Sequence, residues 1–188
     1  MRFSLSESYQ RIPHFFLILY LITGSLIGCR ENHNKVTRES WQYPVRPGDN
    51  RARVHELLGN PARATAGLEE YPSSGVTAWF NTEGRVAKLN FSGEAAVLYS
   101  TDSFGMIPSK NQVLSGLSNR SDETDFRRIL GTPAKEQQER ASISRELHCL
   151  WKTDSLLINA LFLVAPRTHE GKTYGKGSLL WFEVSRSL

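Results

Sequence analysis

Apolar residues gather into one continuous run, close to the start of the chain. It extends from Phe15 to Ile27 and is broken only by Thr23, Gly24 and Ser25. A run of about 13 residues falls short of the ~20 that a helix needs to cross a bilayer. Arg2 and Arg11 place positive charge ahead of it, so residues 1–28 have the layout of a cleavable export signal. Beyond it, residues 29–44 are polar and keep neither a 2.0 nor a 3.6 period, which predicts a flexible tether. As a coil such a stretch spans on the order of 20 Å. Trp41 and Tyr43 near its end have two possible places, packed on the domain or at a membrane interface.

From residue 45 the pattern becomes periodic, and it repeats. Leu57-Leu58-Gly59-Asn60-Pro61-Ala62-Arg63 returns as Ile129-Leu130-Gly131-Thr132-Pro133-Ala134-Lys135, 72 positions later. The same offset carries Val54 onto Phe126, Asp49 onto Ser121 and Trp79 onto Trp151. In each copy the apolar positions fall at i, i+3 and i+4, one face of a short helix. Asp49 and Ser121 are the expected N-caps. Gly59 and Gly131 end the helices and the prolines stop them from resuming. Helices this short do not persist alone, so each must dock on a sheet.

Strand signals follow each helix. Gly75–Phe80 and Arg85–Phe91 flank Asn81-Thr82-Glu83-Gly84, a predicted hairpin with Gly84 in the left-handed turn position. Leu89 and Phe91 alternate with Lys88 and Asn90, and Ala95–Tyr99 is expected as a third strand. Ser109-Lys110-Asn111-Gln112 fits a capping box that opens one more helix through Leu117. After the second repeated helix, Glu146–Trp151, Leu156–Val164 and Ser178–Val184 give three further strands. Helices followed by antiparallel strands, twice over, predict an α+β fold of two tandem modules, residues 45–105 and 106–188, each with short helices packed on its own sheet.

The apolar run ends in Leu26-Ile27-Gly28-Cys29, which resembles the bacterial lipobox. The resemblance implies cleavage before Cys29, a diacylglyceryl thioether on its sulfur and acylation (palmitate, for example) of the new amino terminus. One chain alone holds a membrane marginally, and two or three hold it stably. Arg30 lacks the aspartate that commonly marks inner-membrane retention, so the outer membrane is favoured in a Gram-negative host.

The order of short helix, Leu-Gly-x-Pro and aromatic hairpin resembles the SmpA/OmlA family of small outer-membrane lipoproteins, which share a fold with tandem β-lactamase-inhibitor proteins. Gly48-Asp49, Val54, Leu57–Pro61, Gly75-Val76, Phe80 and Gly84-Arg85-Val86 carry it, with a weaker second copy at Phe126, Ile129–Pro133 and Trp151. The resemblance implies a non-enzymatic binding or scaffold role in the cell envelope. The inhibitor proteins carry disulfides within their repeats. Here the only other cysteine besides Cys29 is Cys149, and SmpA/OmlA proteins usually hold one module where this chain has two. Fold and anchor carry over, and no partner does.

Candidate chemistry is sparse. Mature histidines His33, His55, His148 and His169 form no HExxH run, and no CxxC occurs, so no metal or cofactor is expected. His148-Cys149 has the residue types of a thiol–imidazole pair, but strand neighbours point to opposite faces, so Cys149 is expected inside with Leu147 and Trp151. Asp122, Glu123 and Asp125 suit the first turn of a helix better than a metal. The long loop Pro166–Lys176 offers Arg167, Lys172 and Tyr174 as a partner-contact surface.

Composition narrows the rest. Removing the leader leaves about 160 residues, enough for a proper core. A formal net charge of +4 without basic runs excludes a nucleic-acid signature. The expectation is a membrane-anchored envelope lipoprotein, not an enzyme, that binds a protein partner or acts as a scaffold. Its alternatives are an enzyme or small-ligand binder using a cleft between modules, and a dedicated inhibitor or immunity protein.

Overall fold

The repeated segments build two helices of one design. In the computed structural model, which describes residues 40–99, 110–140 and 145–187, α1 spans Arg51–Leu58 and α2 spans Glu123–Leu130. Gly59 and Gly131 both take φ +79°, and their N–H groups donate to the His55 and Arg127 carbonyls. The caps lie one residue later than expected. Asn50 accepts the Arg53 N–H and Asp122 accepts the Asp125 N–H, each at 2.9 Å. Asp49 and Ser121 are engaged elsewhere, Asp49 accepting the Arg46 N–H and the Ser121 hydroxyl accepting the Ser118 N–H.

Twelve strands are described. They are β1 (Arg63–Ala64), β2 (Leu68–Tyr71), β3 (Val76–Phe80), β4 (Val86–Ser92), β5 (Gln112–Leu114), β6 (Leu117–Ser118), β7 (Lys135–Arg140), β8 (Arg145–Lys152), β9 (Leu156–Leu163), β10 (Arg167–His169), β11 (Lys172–Tyr174) and β12 (Leu179–Arg186). Eight form one antiparallel sheet in the order β1-β2-β3-β4-β12-β9-β8-β7. The α+β expectation is therefore corrected. The fold is β-rich, and the two halves share one sheet instead of each building its own. β12, from the second half, pairs with β4 of the first. Eight-residue helices, each with one fully buried side chain (Val54 or Phe126), are too small to form a layer equal to the sheet.

The repeat survives in the strand register with a shifted offset. Val76 pairs with Phe91 and Ala78 with Leu89; 71 residues on, Leu147 pairs with Phe162 and Cys149 with Ala160. Trp79 is thus not the counterpart of Trp151. Trp79 faces outward and Trp151 inward, so buried Phe80 takes the equivalent place beside a bulge at Trp79/Phe80. The lost residue reflects different routes after the helices. Ala62 donates to Glu70 of β2, an inserted strand, whereas Ala134 donates directly to Leu150 of β8.

The core lies between the inner sheet face and the helices. Phe91 stacks on Phe182 at 4.9 Å between ring centroids, and Phe126 meets Phe182, Phe162 and Trp151 at 5.4, 5.3 and 5.6 Å. Such pairs add to the burial of apolar area. Trp41, Tyr43 and Val45 join this core, so the tether ends before Trp41. The Trp41 indole donates to the Tyr43 and Val45 carbonyls, and Tyr43 meets Phe91 edge-on. Residues 1–39, including the signal and Cys29, lie outside the described residues.

Two further expectations are corrected. Glu94–Tyr99 is a 3₁₀ helix and not a strand: Gly93 passes so close to the Leu179 carbonyl that the chain leaves the sheet, and Ala95 then buries against its outer face. The helix expected through Leu117 is the hairpin β5–β6, turned at Gly116 with φ +81°. Val113, Leu114 and Leu117 are all wholly buried there, and the Gln112 side chain donates to the Leu114 carbonyl instead of serving a capping box.

Candidate functional site

The faces of β8 separate His148 from Cys149 as the alternation predicts. Cys149 is fully buried, and burial pushes its thiol up to about 11, which keeps it protonated and poorly nucleophilic at neutral pH. His148 lies on the opposite face, 3.6 Å from Glu139 and edge-on to Trp181. The acidic trio is accounted for by α2. Asp122 caps it, Glu123 pairs with Arg127 at 2.9 Å and Asp125 with Arg128 at 2.8 Å. Among the described residues no group of three His, Cys, Asp or Glu is placed to hold a metal ion.

The loop singled out for partner contact is itself a hairpin, β10–β11, turned through Glu170 and Gly171 at positive φ. Arg167 and Lys172 are exposed, but Tyr174 is buried with Ala95, Leu161, Leu163 and Leu180. Lys172 lies over the Tyr174 ring at 4.8 Å and 3.6 Å from Glu94. The tyrosine is therefore withdrawn from any partner, because the hairpin packs on the sheet.

A carboxylate that the periodicity missed organises the first half. Glu69 on β2 is 2 % exposed and accepts the Tyr71 hydroxyl at 2.7 Å. His55 Nε2 lies 3.0 Å from it, and Arg51 Nε lies 3.1 Å away without hydrogen-bonding alignment. Burial, then the Glu69 carboxylate, push the Tyr71 phenol above its ordinary range. Arg51 and His55 share a helix face at i, i+4, which was visible in the sequence. Leu68-Glu69-Glu70-Tyr71 showed no strand alternation to reveal their acceptor. The cluster ties α1 to β2 and acts as a clasp between them.

The outer sheet face is the candidate binding surface. Cross-strand register sets Leu68, Trp79, Lys88, Ser185, Leu157 and Lys152 side by side in one rung. The next holds Glu70, Thr77, Asn90, Glu183, Asn159 and Leu150. Lys88 sits between neighbours from both strands beside it, 4.6 Å from the Trp79 ring and 2.8 Å from the Glu183 carboxylate. These side chains are half-buried to exposed, whereas the far end of the face is capped by the 3₁₀ helix and the β10–β11 hairpin. At that edge Trp181, Leu161, Leu180, Ala96, Asn90 and Ser92 line a cavity of about 410 Å³. Alternation at Lys88 and Asn90 foretold an outer face, but which strands flank it depends on long-range pairing.

Comparison with known proteins adds little to these observations. No family model matches the chain, and no curated protein matches it. A solved structure to which it is similar is a DUF4309 family protein, YjgB, from Bacillus subtilis subsp. subtilis str. 168. That match covers 84 % of this chain and 95 % of the other at 9 % identity, with a TM-score of 0.47. A likeness this distant assigns no activity. Among the described residues no helix is long and apolar enough to cross a membrane.

Proposed function

We propose that this is a bacterial envelope lipoprotein, held on the membrane through Cys29, that binds another protein on the open outer face of its sheet. It acts as a non-catalytic module or scaffold, with the outer membrane as its place in a Gram-negative host. The anchor rests on Leu26-Ile27-Gly28-Cys29 behind a basic and apolar leader. Kinship with SmpA/OmlA lipoproteins rests on the two Leu-Gly-x-Pro helix ends. The observation that carries the binding surface is the contact of Lys88 with both Trp79 and Glu183, on the part of the outer face that neither the 3₁₀ helix nor the β10–β11 hairpin covers. Tryptophan is enriched among interface hot spots, and the Lys88–Glu183 pair beside it would supply a polar rim.

The anchor is tested by Cys29→Ser, which should abolish labelling by a palmitate analogue and release the protein from membranes; persistent labelling overturns it. The surface is tested with a photo-crosslinking residue at Thr77 in the anchored protein. A partner captured there should be lost when Lys88→Glu and Trp79→Ala are introduced together. Capture that survives both changes refutes the outer face as the interface.

A further inference from the structure

A second feature lies at the end of the central strands, where the chain enters the domain and β12 stops. There a cavity of about 390 Å³ is lined by Arg46, Gly48, Asp49, Ser155 and Arg186, with Trp41 and Leu156 on its apolar side. The Arg186 guanidinium is held in place. Its Nε donates to the Pro47 carbonyl at 3.1 Å, and its plane lies over Gly48, where a Cβ would come within 2.0 Å of Nη2. Gly48 at φ +100° has both the backbone freedom and the missing side chain that this seat requires.

Two features of the lining bear on what it could hold. Among the described residues no carboxylate pairs with the Arg46 or Arg186 side chain. The Ser155 hydroxyl, on the same lining, is buried without a hydrogen-bond partner. A buried hydroxyl left unpaired is costly, and a donor or acceptor placed in the cavity would relieve it. Asp49 adds one negative charge to the rim, with its carboxylate accepting the Arg46 N–H. Two arginines against one aspartate leave the lining positive.

We propose that this cavity binds a phosphate monoester. The fixed guanidinium and the free hydroxyl would donate to the phosphate oxygens, Arg46 would balance its charge, and Trp41 and Leu156 would face the carrier. Arg is suited to this work because its planar fork matches a phosphate and stays charged. The cavity is larger than a bare phosphate, so the ligand brings a further group. The phosphate comes either from a soluble ester or from a lipid headgroup. The inference does not depend on the partner-binding surface, which lies elsewhere on the sheet.

The test is the thermal unfolding midpoint of the full chain in a maltoside detergent, with and without glycerol 3-phosphate at constant ionic strength. The midpoint should rise with ligand, as it does whenever only the folded state binds. Arg186→Gln should weaken the apparent affinity about tenfold or more. Ser155→Ala should weaken it several-fold without lowering the ligand-free midpoint, since its hydroxyl makes no bond to lose. In a second arm the full chain is reconstituted in vesicles containing phosphatidic acid, whose headgroup is a phosphate monoester, or in phosphatidylcholine vesicles. A midpoint raised only in the anionic vesicles, and not in Arg186→Gln, identifies a lipid headgroup, and a rise with the free ester identifies a soluble one. No rise in either arm, or an equal rise in the wild-type chain and both variants, overturns the proposal.

Discussion

Glu69 is the most informative residue to remove. Its carboxylate is 2 % exposed and serves the Tyr71 hydroxyl at 2.7 Å, His55 at 3.0 Å and Arg51 at 3.1 Å. Glu69→Ala leaves the buried Tyr71 hydroxyl without its acceptor, at about 1–3 kcal/mol. His55 and Arg51 lose a partner too, but both side chains are more than a third exposed, so water replaces most of it and each loss is ~0.5 kcal/mol. The expected destabilisation is about 2–4 kcal/mol. Urea unfolding followed by tryptophan fluorescence reads it as a lower midpoint at unchanged slope. Tyr71→Phe removes the same hydroxyl from the other side, so in the Glu69→Ala background it should cost ~1–2 kcal/mol less than it does alone. A Glu69→Ala cost below about 0.5 kcal/mol, or costs that simply add, would refute the clasp.

Three further outcomes are expected. Gly93→Ala should destabilise by about 2 kcal/mol or more in thermal melts, because its Cβ would lie 2.2 Å from the Leu179 backbone carbonyl. Asn50→Ala and Asp122→Ala should each cost ~1 kcal/mol as lost caps, and a zero effect for both would return the caps to Asp49 and Ser121. Cys149 titrates near 9.0 when unfolded and near 11 when folded. Between those values only the unfolded chain gives up the proton, so stability falls as pH rises through that window and then levels for this group. Burial likewise pushes Tyr43 up to about 12, which extends the alkaline loss. Urea midpoints of Cys149→Ala should fall later in pH than those of the unmodified protein, and identical curves would place the early loss elsewhere.

What was legible in the chain was local. Gly59-Asn60-Pro61 and Gly131-Thr132-Pro133 end helices through their own backbone preferences, and Gly84 turns the β3–β4 hairpin at φ +70° for the same reason. Illegible features depend on distant partners. β7 is Lys-Glu-Gln-Gln-Glu-Arg with all six residues exposed, so no apolar period announces it; β8 makes it a strand by pairing. β2 hides because buried Glu69 stands where an apolar residue would mark the alternation. Near Gln112 a capping signal competed with Val113-Leu114 and Gly116, and burial of those two apolar neighbours decided for a hairpin. At Trp79 the identity of one residue type suggested the wrong alignment, since a one-residue difference in offset turns a strand's side chains to the other face. For the surfaces, Lys88 and Asn90 were readable as outward positions. That Glu183 stands beside them, and that Arg186 reaches Gly48, required β12 to be placed.

The position of β12 has a consequence for how the molecule is made. The strand that joins β4 to β9 occupies residues 179–186. A growing chain therefore exposes two half-finished ribbons, whose facing edges stay open until residues 179–186 supply the piece between them. Contacts so distant in sequence form slowly, and incomplete ribbons invite aggregation. The same arrangement makes loss of even a few residues from β12 a global injury, severing the sheet at its middle instead of fraying its rim.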